Sequence, residues 1–307
     1  MATLTISPEE EKRVKAMGFL SNKGTDNFSG RIITVNGKIT AQQQRVIAEA
    51  AEKFGNGIVT FTTRLTVEVQ GIPFDKIEEF QAYIAQAGLV TGGTGAKVRP
   101  VVSCKGTTCR YGLLDSFGIS EEIHHRFYEG YREVKLPHKF KIAVGGCPNN
   151  CVKPNLNDIG IVGQLVPQFD EEKCKGCKKC GIIEACPVNA ASMEDKVVKI
   201  DPNVCINCGR CAGKCHFDAL GEGKPGYKVY IGGRWGKQIA QGRPLSKIFE
   251  TKEEVLDVVE KAILLFKEQG KAGERFAVAI DRIGFENVEK QLLSNDLLER
   301  KEEILKA

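Results

Sequence analysis

Residues 145–155 read GGCPNNCVKPN. Cys147 and Cys151 are separated here by Pro148, Asn149 and Asn150, and the residues just before, KFKIAV at 139–144, alternate in the manner of a strand. A strand that ends in a cysteine-bearing loop holds a ligand on a rigid support. A second pair, Cys104 and Cys109 in SCKGTTCRYG, also follows a predicted strand. Four cysteines in two such pairs make one metal-cluster site; structural thiols or a zinc site are the alternatives.

The remaining eight cysteines fall in two runs. Cys174, Cys177, Cys180 and Cys186 precede Pro187, and Cys205, Cys208, Cys211 and Cys215 follow about 30 residues later. The runs resemble a two-cluster bacterial ferredoxin. Three cysteines two residues apart wrap one face of a cubane, but the chain cannot turn sharply enough to add the fourth. In that fold the fourth ligand therefore comes from the other run. The resemblance thus implies one [4Fe-4S] cluster on Cys174, Cys177, Cys180 and Cys215, and another on Cys205, Cys208, Cys211 and Cys186. Two features depart from the pattern: five residues separate Cys180 from Cys186, and His216 stands where a proline is usual. Zinc also accepts C-x-x-C pairs, although crossed four-cysteine runs are uncommon in zinc modules.

Outside this region, residues from Gly30 to Ala87 alternate between types. A strand-like RIITV leads to a helix over Ala41–Phe54, then a strand-like GIVTFTTRLTVEV and a helix from about Asp75 to Ala87. Thr40 and Gln43 form a capping box, and Gly55 and Gly88 follow the helices. Gly92, Gly93 and Gly95 read as a linker, and a helical stretch is expected near Glu121 to Gly130. After the cysteine-rich texture of 167–218, a strand YKVYIGG and a helix KEEVLDVVEKAILLF resume. Val255, Val258, Val259, Ala262, Ile263 and Phe266 stand at helical spacing for packing. The fold class is α+β.

The chain has 307 residues, enough for two or three domains with real cores. No apolar run approaches the roughly 20 residues of a membrane helix, and MATLTISPEEEKRVKAMGFL lacks a secretory signal. Twelve cysteines in such a chain are expected as thiolate ligands in a reducing cytoplasm. A net charge of +5 with interspersed signs argues against nucleic-acid binding.

The two cysteine pairs and their surroundings resemble the sirohaem-dependent sulfite and nitrite reductase family, from about Phe28 to Phe285, and FTTRLTVEVQGIPF is similar to the family's ferredoxin-like half-repeat. The four-residue spacing in the first pair and the inserted ferredoxin resemble the anaerobic and dissimilatory sulfite reductases. The resemblance implies three domains: a half-repeat over 1–90, a sirohaem and [4Fe-4S] catalytic domain over 91–166 and 219–307, and an inserted two-cluster ferredoxin over 167–218. It implies sirohaem and three [4Fe-4S] clusters as cofactors. Cys104, Cys109 and Cys147 would complete a cubane with Cys151, which would also ligate the sirohaem iron.

The same resemblance puts Arg31, Arg99, Lys139 and Lys141 around a small oxyanion. Lys139 and Lys141, two apart on the expected strand, would face one side. Arg64, Arg234 and Lys237 would meet sirohaem carboxylates. Trp235 either lines the cofactor or packs, and His124, His125 and His138 have no ligand spacing. The implied reaction is reduction of sulfite to sulfide by six electrons. The alternatives are nitrite reduction to ammonia, or an electron-transfer protein without sirohaem. An electron-donor protein or subunit is implied. A single cluster-bearing half also implies a homodimer or larger oligomer, with Lys139 and Lys141 reaching a partner's sirohaem.

Overall fold

The computed structural model describes residues 6–306. Its first elements are α1 (Pro8–Ala16), β1 (Phe19–Ser21), β2 (Asn27–Ile32), α2 (Ala41–Phe54), β3 (Val59–Phe61), β4 (Val67–Pro73) and α3 (Ile77–Ala85). The strands form an antiparallel sheet in the order β1-β2-β4-β3. α2 starts at the expected Thr40–Gln43 capping box, and its Ile47, Ala50, Ala51 and Phe54, three and four residues apart, form the buried face. They share a core with Phe19, Phe28, Val69 and Phe80. Each of the Ile, Val and Phe side chains among them contributes roughly 1.5–3 kcal/mol by leaving water.

Three local expectations need correction. The stretch GIVTFTTRLTVEV is two strands: Leu65 takes a left-handed φ of 59°, and the Thr62 and Thr66 hydroxyls meet at 2.7 Å across the turn. β-branched composition alone does not reveal such a reversal. RIITV continues a strand that begins at Asn27 and ends at Ile32. The Gly92–Gly95 segment is no free linker, because the Ile33 N–H donates to Val90 O at 2.9 Å and the Gly92 N–H to Arg31 O at 3.1 Å. Gly93 and Gly95 are needed there for their φ values of 75° and 83°, where a Cβ is strained.

The chain continues through β5 (Val102–Ser103), α4 (Ser116–Ile123), β6 (Ile142–Gly145) and β7 (Ile159–Val166). The helix expected near Glu121 starts earlier and widens at His124–Glu129 into a π-helix, with the Gly130 N–H donating to His125 O at 3.1 Å. The regular strand of KFKIAV begins only at Ile142, so Lys139 and Lys141 precede it. Phe140 instead forms an isolated parallel bridge with Val98.

Next come α5 (Gly181–Ala185), β8 (Ala191–Glu194), β9 (Val197–Ile200), β10 (Lys224–Ile231) and β11 (Arg243–Phe249). Strands β11, β10, β7 and β6 lie side by side in that order. β7 and β10 pair antiparallel from Val166↔Lys224 to Ile159↔Ile231, so residues 167–223 leave the sheet and return to it at one point. That excursion has its own small core of Ile182, Ala191, Val198 and Leu220. The chain ends in α6 (Lys252–Gln269), α7 (Phe276–Ile283), α8 (Phe285–Leu293), α9 (Asp296–Glu299) and α10 (Lys301–Lys306). The residues at helical spacing in α6 are all buried, and Phe266 stacks with Phe140 and Phe276 at 5.8 and 5.3 Å.

Two compact units divide the chain. One takes the residues up to Ser103, then Ser120–Ala143 and those from Val259 on; the other takes Cys104–Ile119 and Val144–Val258.

Candidate metal centres and a basic cluster

All twelve cysteines lie in the second unit, and none is joined in a disulfide. The two pairs meet through glycine. A Cβ on Gly146 would stand 2.7 Å from the Gly106 Cα, so only two bare backbones let the Cys104–Cys109 and Cys147–Cys151 loops lie against each other. The Gly146 N–H donates to the Cys104 Sγ at 3.1 Å, the Cys104 N–H to Val144 O at 3.1 Å, and the Leu113 N–H to Gly146 O at 2.8 Å. The second loop turns through left-handed Asn150 and Lys153, with the Asn150 amide donating to Asn155 Oδ1 at 2.8 Å. Burial pushes the Cys147 thiol up, and the neighbouring Cys104, Cys151 and Cys109 push it further. Cys147 therefore lies within electrostatic reach of the other three sulfurs. That is the chemistry of a site whose charge a bound cluster balances, with proton release on loading.

The inserted runs behave in the same way. Burial raises the Cys211 thiol, and Cys205, Cys208 and Cys186 add to the effect. This set crosses between the runs. Cys174, Cys180 and Cys215 pack against the small apolar core, and a Cβ on Gly181 would meet the Lys214 carbonyl at 2.5 Å, so Cys180 and Cys215 are brought close through their chain neighbours. Among the described residues no three His, Cys, Asp or Glu side chains are placed to hold a metal ion. A single zinc ion needs its ligands on one atom, whereas each thiolate of a cubane binds a different iron at a different corner. An all-thiol donor set of this kind suits iron-sulfur clusters.

The Leu165 N–H donates to Asn207 O at 2.8 Å, tying the second run to β7. A cavity of about 280 Å³ is then lined by Cys147 and Pro148 together with Cys208 and Gly209. The four-thiol site and the second run are neighbours.

The first unit gathers five of the expected basic residues by backbone. Arg31 and Glu68 are direct partners in the β2/β4 register, and the guanidinium donates to Glu68 at 2.6 and 2.8 Å. Arg31 also donates to Gly93 O, and so does Arg99, which reaches Gly95 O as well. Burial, with Arg31 adding to it, lowers the Arg99 pKa to about 10. The Arg99 N–H donates to Phe140 O at 2.8 Å, which sets Arg99 beside the residue between Lys139 and Lys141. Arg64 donates to Pro100 O at 2.6 Å and Ile142 O at 3.1 Å, so its fork holds together the two segments that carry the others.

Arg234 and Lys237 belong to the second unit, in a turn closed by mutual backbone hydrogen bonds between Arg234 and Ala240. Arg234 is half-buried, Lys237 exposed, and Trp235 is 60% exposed and packs in no core. Two participants were missed in the sequence. Glu68 anchors Arg31, which only the strand register reveals. Tyr128, on the π-helix, sets its hydroxyl against Gly92 close to Arg99, and burial raises its pKa; a π-turn leaves no periodic signal. Of the histidines, His124 is buried against Tyr128 and His125 pairs with Glu129 at 2.7 Å, as core and surface residues do.

Among the described residues no helix is long and apolar enough to cross a membrane. A coenzyme F420-dependent sulfite reductase of Methanocaldococcus jannaschii is 31% identical over 247 residues, 80% of this chain. The match spans only 38% of that protein. An uncharacterized protein of the same organism is 33% identical, over 87% of this chain and 91% of its own. The fold resembles that of a dissimilatory sulfite reductase I, with a TM-score of 0.69 at 21% identity over 87% of this chain and 69% of that one. Residues 21–87 match the nitrite/sulfite reductase ferredoxin-like half domain, and residues 94–301 match the nitrite and sulphite reductase 4Fe-4S domain. The chain belongs to the nitrite and sulphite reductase family.

Proposed function

We propose that the chain is the catalytic part of a sulfite reductase that uses sirohaem and three [4Fe-4S] clusters. The observation that carries this reading is the abutment of the Cys104–Cys109 and Cys147–Cys151 loops at Gly106 and Gly146 in a member of this family. When bound, the cofactors store and deliver single electrons and offer an iron at which the anion sits. The protein's own part is to hold charge and protons. The dianion SO₃²⁻ takes six electrons and seven protons to leave as HS⁻ and three waters. Arg99, held by the Gly93 and Gly95 carbonyls, supplies a cationic fork that needs no reorganisation, and Arg31, its charge shared with Glu68, stands beside it on the same Gly93 carbonyl. Lys139 and Lys141 flank buried Phe140, and their ammonium groups donate protons as oxygen leaves.

In this reading Cys151 would be the thiolate that also holds sirohaem, Arg64, Arg234 and Lys237 would meet its carboxylates, and residues 167–218 would be the electron-relay module. The oligomer of the sequence reading, with Lys139 and Lys141 serving a partner's sirohaem, is retained as part of the proposal. The test is the anaerobic turnover of the loaded protein with reduced viologen. One sulfide should form for every six electrons consumed, with no intermediate oxyanion released. Faster ammonia formation from nitrite would assign the nitrogen substrate instead, and no consumption with either anion would leave an electron-transfer protein.

A further inference from the structure

We infer that the rim of the Cys174, Cys177 and Cys180 run is the docking site of an acidic one-electron carrier protein. The inference rests on the proposed function, since a reductase must draw its electrons from outside. Within the second unit, Cys208 shares a cavity with Cys147, so the set containing Cys208 is the inner station. The Cys174 run is then the outer one, where electrons enter.

That outer run is KCKGCKKC, with lysines set between the ligands. Lys175, Lys178 and Lys179 are exposed, and so is Lys196, whose backbone carbonyl lies 3.9 Å from the Cys174 Sγ. An open cavity of about 480 Å³ is lined by Cys177 and Cys180 with Lys178, Lys179 and Lys196, and Glu184 is its one acid. Ile183 and Met193 give it an apolar floor. The lysines just outside are neutralised, Lys173 by Asp170 at 3.2 Å and Lys199 by Glu171 at 2.5 Å. Among the described residues Lys175, Lys178, Lys179 and Lys196 have no such partner. Like charges crowded on an exposed rim repel one another, and an acidic face relieves that repulsion. They also steer such a face towards the outer cysteines. A carrier of this charge brings its redox centre to the thiol set without a covalent link.

The experiment is calorimetric binding of the cluster-loaded protein to an oxidised [2Fe-2S] ferredoxin of net negative charge, with basic cytochrome c as the opposite probe. Lys178→Glu/Lys179→Glu should weaken ferredoxin binding about tenfold or more at low salt without weakening cytochrome c binding. Visible absorption per protein verifies that the clusters are retained. The unaltered chain supplies a second reading: its affinity for ferredoxin should drop steeply as salt rises, because exposed charges are screened over about 10 Å at 0.1 M. Unchanged affinity in the double variant, or an affinity indifferent to salt, overturns the inference. Binding is measured without turnover. Lysine-dependent binding with no sulfite reduction therefore refutes the proposed function alone, and viologen-driven sulfite reduction without such binding refutes this inference alone.

Discussion

At the scale of single residues, two kinds of constraint carry the proposed chemistry. One is steric: Gly146 and Gly106 touch backbone to backbone, so Gly146→Ala should separate the cysteine loops. The expected outcome is loss of about one cluster's iron and of the sirohaem bands, read by iron analysis and visible absorption, while the far-ultraviolet helix signal persists. The other is electrostatic. Lys141→Met should lower kcat/KM for sulfite by about 10²–10³, the scale of removing one preorganised donor, with the cofactor spectra unchanged. The cysteines and their pairing into loops are legible in the sequence because ligand spacing is local. Glu68 as the anchor of Arg31, and Gly93 as the carbonyl shared by Arg31 and Arg99, are not, because strand register and a left-handed glycine bring them together from distant positions.

Among elements, α2 and α6 follow directly from periodicity, since a capping box and a three-and-four spacing describe one helix without reference to the rest. The π-helix at His124–Glu129 does not, because its extra residue per turn suits a tertiary site. Its His124 is held below the ordinary histidine pKa, chiefly by burial, with Glu129 opposing. The unfolded chain therefore binds a proton that the folded chain refuses. Stability should fall as pH drops below the unfolded value of about 6.5. Melting temperature followed from about pH 7.5 to 5.5 should show the decline, and His124→Phe should flatten it. At the excursion between β7 and β10, the crossed thiol set gives a sharper expectation. Cys186→Ala should cost the cluster carried by Cys205, Cys208 and Cys211, and leave the cluster of the Cys174 run. Electron paramagnetic resonance of the reduced variant distinguishes the two; loss of the cluster nearest Cys186 in sequence would refute the crossing.

For the whole molecule, the account joins an electron entry, a relay and a reducing centre in one chain of the nitrite and sulphite reductase family. The α+β class and the return of residues 167–223 to their starting point are visible in the sequence as a change of texture, because eight cysteines in short runs interrupt strand and helix patterns. The visible spectrum of the anaerobically prepared, reduced protein, recorded before and after sulfite, separates a sirohaem reductase from a protein of clusters alone. The account predicts sirohaem bands over the broad cluster absorption, and a change in those bands when sulfite is added. A spectrum of clusters alone, indifferent to sulfite, would contradict it.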